Sequence, residues 1–148
     1  MRVAAVVIVD DRLLLVRQGP ADAPYHLLPG GGVEYGETLE EALVREVAEE
    51  TSLTVQPLRP LFINDSIAPD GTRHVVSITF AAAVVSGQSE ATADTAIQGI
   101  DLVTPDELSG IDLRPPLVSA LLDAWSDDFA VAARYLGPVW TSCDASNE

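Results

Sequence analysis

The sequence predicts an α/β domain, and three observations carry that expectation. Short, nearly continuous apolar runs recur along the chain, over residues 3–9, 13–17 and 74–85. Runs of this length bounded by turn residues read as buried strands. Between them, Leu39, Leu43 and Val47 stand four apart, on one face of a helix. Strands alternating with helices define the class. The 148 residues, 47% of them apolar, suffice for one domain, 1–148, with a buried core.

Each element has its own reason. Residues 3–9 and 13–17 form two strands joined by a turn at Asp10-Asp11. Neither alternates apolar with polar, which suggests a sheet covered on both faces. Turn residues make 19–24 a loop, and 25–28 reads as a short strand before Pro29 and the glycine loop 30–32. A helix starts at Thr38, because Glu41 follows at the spacing of a capping box. It ends by about Thr51. Ser52 then stands where glycine would relax into the left-handed conformation, a cost of about 1 kcal/mol.

Residues 54–63 read as one or two short extended segments broken by Pro57 and Pro60. Residues 67–72 form a turn, 74–85 the clearest later strand, 86–95 a loop and 99–103 a further strand. Thr104 caps a short helix with Pro105 at its first position. Leu117, Ala120, Leu121 and Ala124 give 115–125 helical spacing. Residues 129–148 are a C-terminal extension whose order the sequence leaves open. Tyr135 and Trp140 suggest packing there, and 144–148 is expected to fray.

Composition excludes several functions. The formal net charge is −15, which disfavours DNA or RNA as a partner. No run approaches the roughly 18 apolar residues of a membrane span. Cys143 is the single cysteine, so no internal disulfide is expected. With no export signal recognisable at the start, a cytoplasmic location is the expectation.

The chemistry concentrates between Gly30 and Leu53. Glycines 30–32 run into a helix carrying Arg45, Glu46, Glu49 and Glu50. The three glutamates share one face at i, i+3 and i+4, where like charges repel by roughly 0.2–0.5 kcal/mol per pair. A hard divalent cation between them would relieve that repulsion, since Mg²⁺ takes oxygen ligands. Bound cations would also reverse the local field of so acidic a chain for a phosphate substrate.

This stretch resembles the signature of the Nudix hydrolases, G-x5-E-x7-R-E-U-x-E-E-x-G-U with U aliphatic. Gly31, Glu37, Arg45, Glu46, Val47, Glu49, Glu50 and Leu53 all match. Ser52 replaces the family's glycine. The resemblance implies an α/β/α sandwich with a mixed sheet. It implies a pyrophosphohydrolase that cuts a nucleoside diphosphate linked to another group X. Glu46, Glu49, Glu50 and the carbonyl of Gly30 would hold Mg²⁺ or Mn²⁺. Glu49 or Glu50 would serve as base, with Arg45 orienting the carboxylates. Glu37 and Gly31 would be structural, Glu37 through a charge-assisted contact with Arg45. Glu90 or Asp94 could add a further acidic group. Relatives are often dimers, and a homodimer is compatible with this composition.

Outside the motif, Arg17 could contact phosphate, since a guanidinium suits that geometry. His26, where relatives often carry tryptophan, is expected to pack. Tyr135 and Trp140 read as core or dimer residues rather than a base stack. His74 and Cys143 are given no role. Pro69 falls near a proline of ADP-ribose-hydrolysing relatives, although Pro69-Asp70-Gly71 is also an ordinary turn. ADP-ribose or a nucleotide sugar is the first expectation for substrate, and a nucleoside triphosphate of the housecleaning kind the second. A nucleotide-sensing module without catalysis is the alternative of another class, and such proteins typically have eroded glutamates.

Overall fold

The computed structural model describes residues 1–89 and 97–139. The elements are β1 (Arg2–Val9), β2 (Arg12–Gln18), β3 (Tyr25–Leu27), β4 (Gly30–Gly32), α1 (Leu39–Thr51), β5 (Thr54–Ile67), β6 (His74–Ser86), β7 (Gly99–Val103), α2 (Pro105–Leu108), α3 (Val118–Ser126) and β8 (Arg134–Val139). The sheet runs β3-β2-β1-β6-β5-β8, with β4 paired to β1 and β7 to β2. It is mixed: β1 with β6 and β5 with β8 are parallel, and the remaining pairs are antiparallel.

Strand β1 organises both cores. Val3, Ala5 and Val7 join Ala42, Leu43 and Val47 of α1 in one cluster. Ala4 and Val6 join Leu108 of α2 and Leu117, Leu121 and Ala124 at α3 in the other. Alternate residues of a strand face opposite sides, so one apolar run feeds two layers. That is why the run lacks polar alternation, and it makes the fold an α/β/α sandwich.

Several expectations sharpen. The glycines 30–32 are a strand rather than an open loop, with Arg2, Val3 and Ala4 opposite Gly32, Gly31 and Gly30. Residues 54–67 form one long strand despite two prolines. Register shifts at Pro57/Arg59 and Pro60/Phe62 absorb them. Both prolines precede Phe62, where β8 begins to pair, so neither has to donate to that neighbour. Helix α3 starts at Val118, three residues later than expected. Residues 134–139 are ordered as β8, and the Tyr135 hydroxyl donates to Asp65 at 2.5 Å. Trp140, Cys143 and residues 144–148 lie outside the described residues.

Candidate active site

The site rests on how α1 begins and ends. The Thr38 hydroxyl accepts from the Glu41 amide at 3.1 Å, and the Glu41 carboxylate accepts from the Thr38 amide at 2.9 Å. This reciprocal cap fixes the first turn. At the other end Ser52 has φ 65° and donates its amide to Ala48 at 3.0 Å. The left-handed stop expected of glycine is therefore made by serine, with its steric cost.

Arg45 is the centre of the polar network. Its Nε and Nη2 donate to the two oxygens of Glu37 at 2.5 and 3.0 Å. Nη1 donates to Glu46 at 2.9 Å and, more weakly, to Glu49 at 3.4 Å. Nη2 also reaches the carbonyl of Gly32 at 3.1 Å. One planar group thus ties the loop before α1, the helix itself and β4 together. Hydrogen bonds from Arg45, then from the Glu34 amide, hold the Glu37 carboxyl down at about 2. The same bond to Glu37 raises the pKa of Arg45.

The three glutamates occupy different surroundings. Glu50 is buried and accepts from the Gly30 amide at 2.8 Å. Burial pushes its carboxyl up to about 7, against the pull of the Gly30 amide and Arg2. The Glu46 carboxylate lies on Gly31, so close that a Cβ there would stand 2.3 Å from its carboxyl carbon. Glu49 is exposed. At Gly30 a Cβ would sit 2.0 Å from the Val3 carbonyl oxygen. Gly30 is thus required by close approach of the backbone, at Gly31 the flexible Glu46 side chain would have to give way, and Gly32 faces open space.

The donor set fits a hard cation in kind. It offers carboxylate oxygens from one helical face beside backbone carbonyls of a glycine strand. Among the described residues, no three His, Cys, Asp or Glu side chains already converge at metal-holding distance. Arg45 and the Gly30 amide hold the carboxylates that would have to turn toward an ion.

The remaining predicted residues separate. Arg17 donates to Asp101 at 2.7 Å and lies over Gly99, away from α1. His26 shares that Asp101 oxygen at 2.8 Å. Burial opposes ionisation of Asp101, but the bonds from His26 and Arg17 outweigh it, and its pKa is lowered. His74 pairs with Asp65 at 2.7 Å. Pro69 sits in the turn after β5. Glu90 and Asp94 lie outside the described residues.

Sequence reasoning overlooked Arg2. It sits opposite Gly32 on one side of β1 and Ser77 on the other. Both Glu50 and Glu46 act on it electrostatically. Beside it opens a cavity of about 370 Å³, also lined by Tyr25, Ser66, Arg73, Ser77 and Arg114. A lone arginine opening a hydrophobic strand was the available signal.

Comparison with known proteins places this arrangement. A family profile for the NUDIX domain matches residues 1–124, and the chain belongs to that family. It is 38% identical over 95 residues to an ADP-ribose pyrophosphatase of Methanocaldococcus jannaschii, covering 62% of this chain but only 55% of that protein. It is 34% identical over 94 residues to the nucleoside triphosphatase NudI of an Enterobacter species, covering 59% of this chain and 67% of that one. A solved NUDIX hydrolase from Nitrosomonas europaea superposes with a TM-score of 0.74 at 30% identity, covering 86% of this chain and 88% of the other. Among the described residues, no helix is long and apolar enough to cross a membrane.

Proposed function

We propose, from that family membership, that the chain hydrolyses the pyrophosphate bond of a nucleoside diphosphate linked to another group, with ADP-ribose or a nucleotide sugar as first substrate. The observation that carries this reading is the intact carboxylate array on α1, braced by Arg45 and set against β4. Similarity to the Methanocaldococcus jannaschii ADP-ribose pyrophosphatase supports the choice of substrate.

Glu46, Glu49, Glu50 and the Gly30 carbonyl would hold Mg²⁺ or Mn²⁺. Such an ion, when bound, supplies charge neutralisation at the diphosphate and acidifies water. The chain's own residues do the rest. Water attacks one phosphorus, the bridging P–O bond breaks, and the water's proton passes to Glu49 or Glu50. A nucleoside monophosphate and a phosphorylated X leave. Arg45 touches no reacting atom; it positions Glu46 and Glu49.

The test is a product-resolved screen of ADP-ribose, nucleotide sugars, dinucleotides and triphosphates with Mg²⁺ or Mn²⁺. Equimolar AMP and ribose 5-phosphate from ADP-ribose is the expected result. Preferred release of pyrophosphate from triphosphates would favour the second reading, which similarity to the Enterobacter nucleoside triphosphatase supports. Nucleotide binding with no turnover of any substrate would make the chain a sensing module instead.

A further inference from the structure

All eight basic residues of this chain are arginines, against 23 acidic ones. Three of the eight, Arg2, Arg73 and Arg114, line the cavity described above. In so acidic a protein that convergence calls for a physical reason.

Their partners differ. Arg114 is bonded to Asp112 at 3.1 Å and stacks over the Tyr25 ring at 4.1 Å. Its charge is largely met within the fold. Arg2 is half-buried, and its nearest polar partner is the Leu28 carbonyl at 3.5 Å. Among the described residues, no carboxylate lies within 4 Å of the guanidinium of Arg2 or of Arg73. Arg2 and Arg73 moreover repel one another across the cavity. Charges out of water are normally paired. Arg2, partly buried without a carboxylate, and Arg73, exposed and lining the same hollow, together describe an anion site whose anion comes from outside the chain.

Arg2 links the hollow to the glutamate site: it stands opposite Gly32 of β4, whose neighbours Gly30 and Gly31 meet Glu50 and Glu46. A phosphate chain lying between would meet the carboxylate array at one end and guanidinia at the other. We propose that Arg2 and Arg73 form a clamp that grips the substrate's diphosphate independently of any metal ion, and that Arg17 does not. This rests on the reading of the glutamates as the place where a diphosphate is cut. The clamp assigns the two halves of recognition to opposite layers of the sheet: Arg2 falls on the face of β1 that carries Ala4, away from α1.

Calorimetric titration in EDTA separates this from turnover. ADP-ribose and inorganic pyrophosphate should bind the unmodified protein, and adenosine should not. Arg73→Ala, an exposed position where folding is not at risk, should weaken pyrophosphate binding about tenfold. Arg2→Gln should weaken it at least as much, with Arg2→Lys partly restoring it. Glu50→Gln should leave binding intact or tighten it, because it removes a negative charge beside Arg2. In steady-state assays Arg73→Ala should raise KM and leave kcat nearly unchanged. Failure of pyrophosphate to bind in EDTA, or equal binding by an Arg2→Gln, Arg73→Ala double variant, would overturn the clamp. Clamp binding without turnover of any nucleotide would leave the clamp standing and sink the hydrolase reading instead.

Discussion

The two sides of the sheet at the start of β1 handle charge in opposite ways. On the α1 side, Arg45 is bonded to Glu37, Glu46, Glu49 and a backbone carbonyl. On the other side, Arg2 and Arg73 meet no carboxylate at ion-pair distance among the described residues. A saturated guanidinium is architecture: it fixes where carboxylates stand. An unsaturated one is available to a ligand. Arginine type alone does not distinguish them; the count of partners does.

Substitutions can break this contrast in graded steps. Glu50→Gln keeps the shape and the Gly30 contact but removes a carboxylate charge, so turnover should fall at least a hundredfold, about 2.7 kcal/mol in barrier. Circular dichroism and the thermal midpoint should stay near the parent's. Arg45→Ala should lower kcat roughly tenfold or more by releasing Glu46 and Glu49. Arg45→Lys should recover little, because a lysine cannot make the forked contact with Glu37. Thr38→Ala should cost about 1 kcal/mol in urea unfolding, since it removes one half of the cap on α1. Ser52→Gly should stabilise by about 0.5–1 kcal/mol, the left-handed strain being relieved. Arg17→Ala should be the mildest for substrate, with KM changed less than about threefold. A larger KM effect there than at Arg73 would erase the distinction between paired and unpaired arginines.

What was legible in the sequence followed from covalent spacing. Thr38, Glu41, Arg45, Glu46, Glu49 and Glu50 lie on one helix, so its geometry fixes their relations before any tertiary contact forms. The cap and the left-handed Ser52 could be read for that reason, whereas the contact of Arg45 with Glu37, which lies before the helix, came from the family resemblance. The alternating cores of β1 were half legible: an unbroken apolar run indicated two covered faces, but not which helix covers each. The continuity of β5 was hidden, because Pro57 and Pro60 are tolerated only where β8 is absent, and β8 lies about seventy residues further along the chain. The cavity was hidden for the same reason. Arg2, Arg73 and Arg114 come from distant segments, and only the folded sheet gathers them.

The close seat of Glu46 on Gly31 has one more consequence. That carboxylate, held by Arg45, occupies the space that a single methyl group on residue 31 would fill. Gly31→Ala would displace it without altering the chain's charge or any reactive group. The site could then be disabled by shape alone, which provides an isoelectric control for experiments on the acidic residues themselves. Backbone bareness here is thus a dimension of the reaction centre, as specific as the carboxylates it admits.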